Sequence, residues 1–278
     1  MNDPRATRSA LTIAGSDCSG GAGIQADLKT FEAFGVFGQS AVTAVVAENT
    51  VGVQGVMAVP PAFVARQIDS CLDDIGADAI KTGMLVDGPT IRAVAAALEG
   101  RAVRGLVVDP VMRAKGGDPL IDPEAVRELV ARIFPLAAVV TPNVPEAEAL
   151  VGAPLVTEAD FRQAARVIRA MGPSLVVMKG GHNPFTASDV SVDFVWDGAA
   201  WTALSGPRSS SRNTHGTGCT FSAAIAANLA LGFSPIDAIA VAKRYISRAI
   251  ASAPGLGRGH GPVRHAVSCD GANERDRG

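Results

Sequence analysis

Leu11-Thr12-Ile13-Ala14, Gly15-Ser16-Asp17-Cys18-Ser19-Gly20-Gly21-Ala22-Gly23 and Ile24-Gln25-Ala26-Asp27-Leu28 follow one another without a break. The first run is short and apolar, as a strand buried on both faces requires. The second is rich in glycine and small polar residues, and the third starts an apolar pattern at helical spacing. Strand, loop and helix in that order make one βα unit, and its repetition decides the fold. Leu11 to Ala14, Val42 to Ala47, Ala79 to Lys81, Leu106 to Asp109, Ala138 to Thr141 and Leu175 to Lys179 read as strands. Ala22 to Ala33, Pro61 to Ile75, Pro89 to Leu98, Pro123 to Ile133 and Glu158 to Met171 read as the helices between them. Such alternation implies an α/β fold, a mainly parallel sheet with helices on both faces. Val192 to Trp196, Asp197-Gly198 and Trp201 to Leu204 read as an antiparallel hairpin at the sheet edge. Helices at Thr217 to Leu231 and Pro235 to Ser252 complete the pattern.

Residues 1–9 read as an N-terminal extension, 10–263 as a single domain and 264–278 as a disordered tail, because glycine and charge dominate after Pro254. The chain's 278 residues are 47% hydrophobic and 19% charged, enough for one large core. A net charge of -2, scattered Lys and Arg, and 5% aromatics argue against nucleic acid as a partner. No apolar run approaches the ~18 residues that cross a bilayer, so no membrane partner is expected. Cys18, Cys71, Cys219 and Cys269 have neither paired metal spacing nor the density of a secreted framework. A reducing cytoplasm is therefore the expected location.

Ligands of open parallel sheets collect beyond the carboxyl ends of the strands. Those ends carry Gly15-Ser16-Asp17, Glu48-Asn49, Lys81-Thr82-Gly83-Met84, Asp109-Pro110-Val111, Thr141-Pro142-Asn143 with Glu146, and Lys179-Gly180-Gly181-His182. Asn213-Thr214-His215-Gly216-Thr217-Gly218-Cys219 opens into a small apolar run. It has the glycines and the helix start of an anion cradle, where first-turn amides lack partners and the helix dipole is positive. A thiol in that field can fall from about 8.5 into the range of roughly 3.5 to 7.5, so Cys219 is a candidate proton acceptor for a substrate hydroxyl. Asp109, Asn143 and Glu146 offer hard oxygens in the small number that suits Mg²⁺, although Asp109 also fits a turn cap and Glu146 a helix first turn. Lys179 would set an ammonium near phosphates. His182 and His215 lack metal spacing and read as loop histidines, with the cleft within reach. There is no Walker A loop. Gly21-Ala22-Gly23-Ile24-Gln25-Ala26 matches the loose dinucleotide pattern, with Glu48 where a ribose-binding acid would stand, but polar residues intervene before the glycines.

Taken together, Leu11 to Asp17, Ser19 to Lys29, Lys81 to Leu85, Val108 to Met112, Thr141 to Glu146, Lys179 to His182 and Asn213 to Cys219 resemble hydroxymethylpyrimidine/phosphomethylpyrimidine kinases, in order over roughly the first 262 residues. The resemblance implies a ribokinase-like three-layer α/β/α sandwich, ATP with Mg²⁺, a small pyrimidine substrate phosphorylated twice in thiamine biosynthesis, and a homodimer. Pyridoxal kinases of the same fold are the alternative. Carried onto this chain, Cys219 takes the place of the base and Gly216, Thr217 and Gly218 that of the anion hole. Lys179, Asn143, Glu146 and Asp109 fall on the nucleotide side, with Asp109 and Glu146 toward the metal. Ala22, Val46, Glu48, Met84 and Val111 would line the pyrimidine pocket. At Glu48 the family commonly has glutamine, which both donates and accepts, whereas an ionised carboxylate only accepts.

Overall fold

The computed structural model describes residues 7–101, 105–112, 121–181, 185 and 189–269. Its strands and helices run in the order β1 (Ser9–Ala14), α1 (Gly23–Ala33), β2 (Phe37–Val42), β3 (Ala44–Asn49), β4 (Gly52–Ala58), α2 (Pro61–Asp74), β5 (Ala79–Thr82), α3 (Gly88–Leu98), β6 (Leu106–Val108) and α4 (Pro123–Glu128). They continue with β7 (Val139–Val140), α5 (Val144–Val151), α6 (Glu158–Ala170), β8 (Leu175–Met178), β9 (Val190–Trp196), β10 (Trp201–Pro207), α7 (Thr217–Ala230) and α8 (Pro235–Ala251). The main sheet has eight strands in the order β10-β9-β8-β7-β6-β5-β1-β2. Neighbours from β2 to β8 are parallel, and β9 and β10 join antiparallel at one edge as the hairpin reading expects.

Strand side chains alternate between two apolar layers. Leu11, Ile13, Ile80, Val108 and Val140 pack with Ile68, Ile91 and Phe161 of the helices and with Ile133 of the π-helical turn (Leu129–Ile133) that continues α4 on one face. Ala10, Ala79, Val107, Val139 and Val177 pack with Phe31, Ile225, Ile239 and Tyr245 on the other. This two-residue period, with both faces covered, makes the sandwich three-layered and the central strands fully buried. Burying one Leu or Ile contributes about 1.5–3 kcal/mol, so the two layers carry most of the stabilisation.

Three local readings change. Val42 to Ala47 is not one strand: β2 ends at Val42, Thr43 is pinned by its amide to the Ala14 carbonyl (2.9 Å) and by its hydroxyl to that of Met84 (2.6 Å), and the chain leaves the sheet. β3 then pairs with β4 in a separate antiparallel ribbon, bulged between Ala47 and Glu48. An apolar run looks the same in a sheet centre and in a flap. Glu146 stands in a helix first turn, as one of its two readings expects, but the helix, α5, was absent from the alternation read above; it begins with a capping box in which the Asn143 side chain accepts from the Glu146 amide and Glu146 from the Asn143 amide. The expected loose tail is packed as far as it is described: His265 is buried, its carbonyl accepts from the Tyr245 hydroxyl (2.7 Å) and its ring contacts Thr220 (3.1 Å). Burial lowers the His265 ring to about 4, which keeps it neutral.

Candidate active site

A cavity of about 550 Å³ opens at the carboxyl ends of β1, β5 and β6. Every residue singled out above for a site lies on its wall: Ala22, Val46, Glu48, Met84, Asp109, Val111, Asn143, Glu146, Lys179, Gly216, Thr217, Gly218 and Cys219. His215 lies there too, while His182 falls outside the described residues.

The loop after β1 is folded around one carboxylate. Asp17 accepts from the amides of Ser19 (2.8 Å), Gly21 (3.0 Å) and Ala22 (2.7 Å), from the Ser19 hydroxyl (3.0 Å), and meets His215 Nε2 at 2.8 Å. Burial pushes this carboxyl up, but the His215 and Ser19 bonds with the loop amides outweigh it and hold it well below the usual carboxylate range. The glycine-rich loop before α1 is thus filled from inside, since the amides of Gly21 and Ala22 are already taken. The dinucleotide reading of Gly21 to Ala26 loses its phosphate site for that reason. A depressed pKa adds stability that is present above the unfolded value near 3.8 and lost as pH falls through the folded one. Asp17→Asn is accordingly expected to cost about 2 kcal/mol at pH 7. The gap to the parent protein should narrow progressively as pH falls below about 3.8 in urea melts.

At α7 the amides are left open. Gly216 caps the helix in the left-handed region (φ 75°) and no side chain caps it. Among the described residues no backbone acceptor meets the amides of Gly218 or Cys219. A Cβ on Gly218 would stand 3.3 Å from an Asp109 oxygen and 3.4 Å from Lys179 Nζ, which sets the charged cluster directly beside these donors. Lys179 Nζ donates to Asp109 (2.8 Å) and lies 3.8 Å from Glu146. Desolvation works against the Lys179 charge, but the two carboxylates raise its pKa and keep it protonated. Burial drives Glu146 up to about 7 despite Lys179.

The surroundings of Cys219 disfavour an acidic thiol, against the lowering read from the helix start. Burial pushes its thiol up to about 12; Lys81 pulls the other way, but Asp27 and Asp109 add to the rise. Removal of the thiol from water is the largest of these effects and works against the helix-start field. Cys219 is therefore a neutral thiol at neutral pH. Behind it Lys81, fully buried, donates to both oxygens of Asp27 (3.0 and 2.8 Å), which also accepts from Thr12 (2.6 Å). Desolvation opposes the Lys81 charge, yet Asp27 holds the ammonium above its ordinary value.

The opposite wall is mainly apolar. Val46 and Glu48 come from β3, Val53 from β4 and Met84 from the loop after β5. Asp17 and Lys81 also stand at strand ends, and the positional rule that picks out Asp109 applies equally to them, although no site role follows for them from the sequence. His260 and Val53 carry no local signal, since a flap and a C-terminal loop bring them in. Among the described residues Asp17, Glu48 and His215 form one group of three whose ligand-capable atoms lie within 4.8 Å of one another.

A family model for phosphomethylpyrimidine kinase matches residues 17–264. The chain is 54% identical over 267 residues to a thiamine biosynthesis bifunctional protein of Geobacter sulfurreducens, covering 96% of this chain and 54% of that protein, so it spans about half the length of that relative. It is 46% identical over 257 residues to a hydroxymethylpyrimidine/phosphomethylpyrimidine kinase of Haemophilus influenzae, covering 92% of this chain and 95% of the relative. The crystal structure of an ADP complex of Bacillus subtilis pyridoxal kinase superposes with a TM-score of 0.87 at 40% identity, over 94% of this chain and 98% of that one. With its sandwich, its strand-end cavity and a match that runs almost from end to end, the chain belongs to the phosphomethylpyrimidine kinase family, kinases of the ribokinase-like fold.

Proposed function

We propose that this chain uses ATP to phosphorylate the hydroxymethyl group of 4-amino-5-hydroxymethyl-2-methylpyrimidine and then the resulting monophosphate, supplying the diphosphate for thiamine biosynthesis. The observation that carries this reading is the open-amide start of α7, set between the Lys179, Asp109 and Glu146 cluster and an apolar wall bearing Glu48. A phosphoryl group in transfer needs donors and positive charge on one side and a held alcohol on the other. Gly216, Thr217 and Gly218 would hold the migrating group, with Lys179 and Asn143 toward the nucleotide. Ala22, Val46, Met84 and Val111 would enclose the heterocycle. Asp109 and Glu146 fit Mg²⁺, being hard oxygen donors too few to displace its waters; when bound, the ion neutralises phosphate charge during transfer.

Cys219, a neutral thiol at rest, would orient the alcohol by hydrogen bonding, and in a loose transition state the alcohol proton leaves late, to an oxygen of the transferred phosphoryl group. Cys219→Ala is expected to slow the first phosphorylation by about 10²-fold. The second should slow less, because a phosphate oxygen is already ionised. Single-turnover assays separate the steps, and equal losses would reduce Cys219 to a wall residue.

The pyridoxal kinase superposition supports a second reading, in which a B6 aldehyde occupies the same wall. ATP-dependent assays on the pyrimidine alcohol, its monophosphate and pyridoxal, with products identified by mass, decide between them. A much higher kcat/KM for pyridoxal would overturn the thiamine reading. The β3–β4 ribbon turns Val45 (49% exposed), Val56 (47%) and Met57 (66%) outward, and an isolated two-stranded ribbon is marginal alone. A second copy of the chain covering it would give the homodimer, which sedimentation velocity reports directly. A cytoplasmic location is consistent with the absence of disulfides among the four cysteines and with no described helix long and apolar enough to cross a membrane.

A further inference from the structure

Glu48 is the charged side chain that the flap contributes to the cavity wall. Its backbone is tied to the loop after β1, where the Cys18 sulfur contacts its carbonyl (3.2 Å) and its amide (3.4 Å). Its carboxylate, in contrast, has no hydrogen-bond partner among the described residues. The groups facing it are Asp17 from the loop after β1 and His215 from the loop before α7, with His260 of the C-terminal loop on the same cavity wall. Asp17 and His215 are bonded to one another at 2.8 Å, so neither is a ready partner for Glu48. A half-buried carboxylate held in place by its backbone and left open toward a cavity is a recognition group awaiting donors.

The proposed substrate presents a mismatched edge. Its amino group donates, and the adjacent ring nitrogen accepts. Two carboxylate oxygens can only accept, so one of the two contacts would be repulsive in a site where unmatched polar groups are costly. A single added proton removes the conflict. On the carboxyl it lets Glu48 donate to the ring nitrogen and accept from the amino group; on the ring nitrogen it makes an amidinium edge that pairs with both oxygens.

We infer that Glu48 is a specificity-determining residue that binds an amidine-edged heterocycle together with one proton taken from solvent and shared between the carboxyl and the ring nitrogen. The inference rests on the pyrimidine reading proposed above. Burial already raises the Glu48 pKa, as does Asp17, while His215 lowers it, so the net tendency is toward retaining a proton. Pyridoxal has no amino group beside a ring nitrogen, so it offers no amidine edge with which the carboxyl could share a proton.

The test is calorimetric binding of the pyrimidine alcohol to the full-length protein at pH 8 in buffers of different ionisation enthalpy, alongside Glu48→Gln. The wild-type protein should take up one proton per ligand, and its Kd should weaken about tenfold per pH unit above neutrality. In Glu48→Gln, which donates and accepts without a proton, uptake should vanish and Kd should be independent of pH over that range. Where binding without nucleotide is too weak to measure, the pH dependence of KM at saturating ATP reads the same linkage. Absence of uptake in the wild type, or uptake that persists in Glu48→Gln and so belongs to His215, overturns the inference. Turnover of the pyrimidine without proton linkage would sink this inference alone; proton-linked binding without turnover would sink the kinase reading alone.

Discussion

Gly216→Ala is expected to lower kcat/KM for phosphoryl transfer by about 10²–10³-fold and stability by about 2–4 kcal/mol. Gly216 sits at φ 75°, ψ 8°, where a Cβ costs roughly 1–2 kcal/mol before any contact is counted. The larger effect is steric. That Cβ would overlap the carbonyl oxygen of Gly21 and stand 3.1 Å from the Cα of Ala22. These are backbone atoms that cannot rotate away, and the Asp17 carboxylate holds the amides of both residues in place. One loop must therefore shift, and the open amides of Gly218 and Cys219 move with it. Single-turnover rates and thermal melts measure the two losses. An alanine variant with near-parental kcat would show that the start of α7 is not where the phosphoryl group is held.

Lys179→Met is expected to lower the rate by a similar 10²–10³-fold and stability by about 3–5 kcal/mol near neutral pH, since breaking one side of a buried ion pair strands the other. The stranded groups are Asp109 and Glu146, both nearly inaccessible to water. Glu146 already titrates near 7 with the ammonium present, and losing that charge raises it further. A carboxyl whose folded pKa is raised destabilises the protein as pH climbs through that value. The variant should thus approach the parent protein at about pH 5 and fall behind it toward pH 8 in denaturant melts. Added Mg²⁺ should raise its melting temperature more than the parent's, because a divalent cation restores positive charge between the same oxygens. A stability gap that is flat with pH would show that the two acids do not depend on Lys179.

Much of the polar part of the cavity wall was legible because several of its residues stand at the end of an apolar run, where a parallel sheet leaves polar groups at one edge. Asp109, Asn143 and Lys179 follow β6, β7 and β8 by one to three residues, and the rule needs no more than their spacing. The same rule pointed to Asp17 and Lys81, yet their partners could not be foreseen. Asp17 meets His215 across 198 positions, and Lys81 meets Asp27 across 54. The flap was misread because Val42 to Ala47 has the composition of a buried strand, and only the pinning of Thr43 to Ala14 and Met84 turns the chain out of the sheet.

Local pattern by itself determined the α/β alternation, the edge hairpin, the glycine-bearing helix start at Gly216 and the strand ends that hold the site. Periodicity and turn chemistry act over a few residues, so a linear sequence displays them. Tertiary structure alone decided which of two glycine-rich loops keeps its amides open, how far Cys219 lies from ionisation, and what faces Glu48. Those properties are sums over neighbours delivered by remote segments and over the water they exclude, and neither exists until the layers have packed.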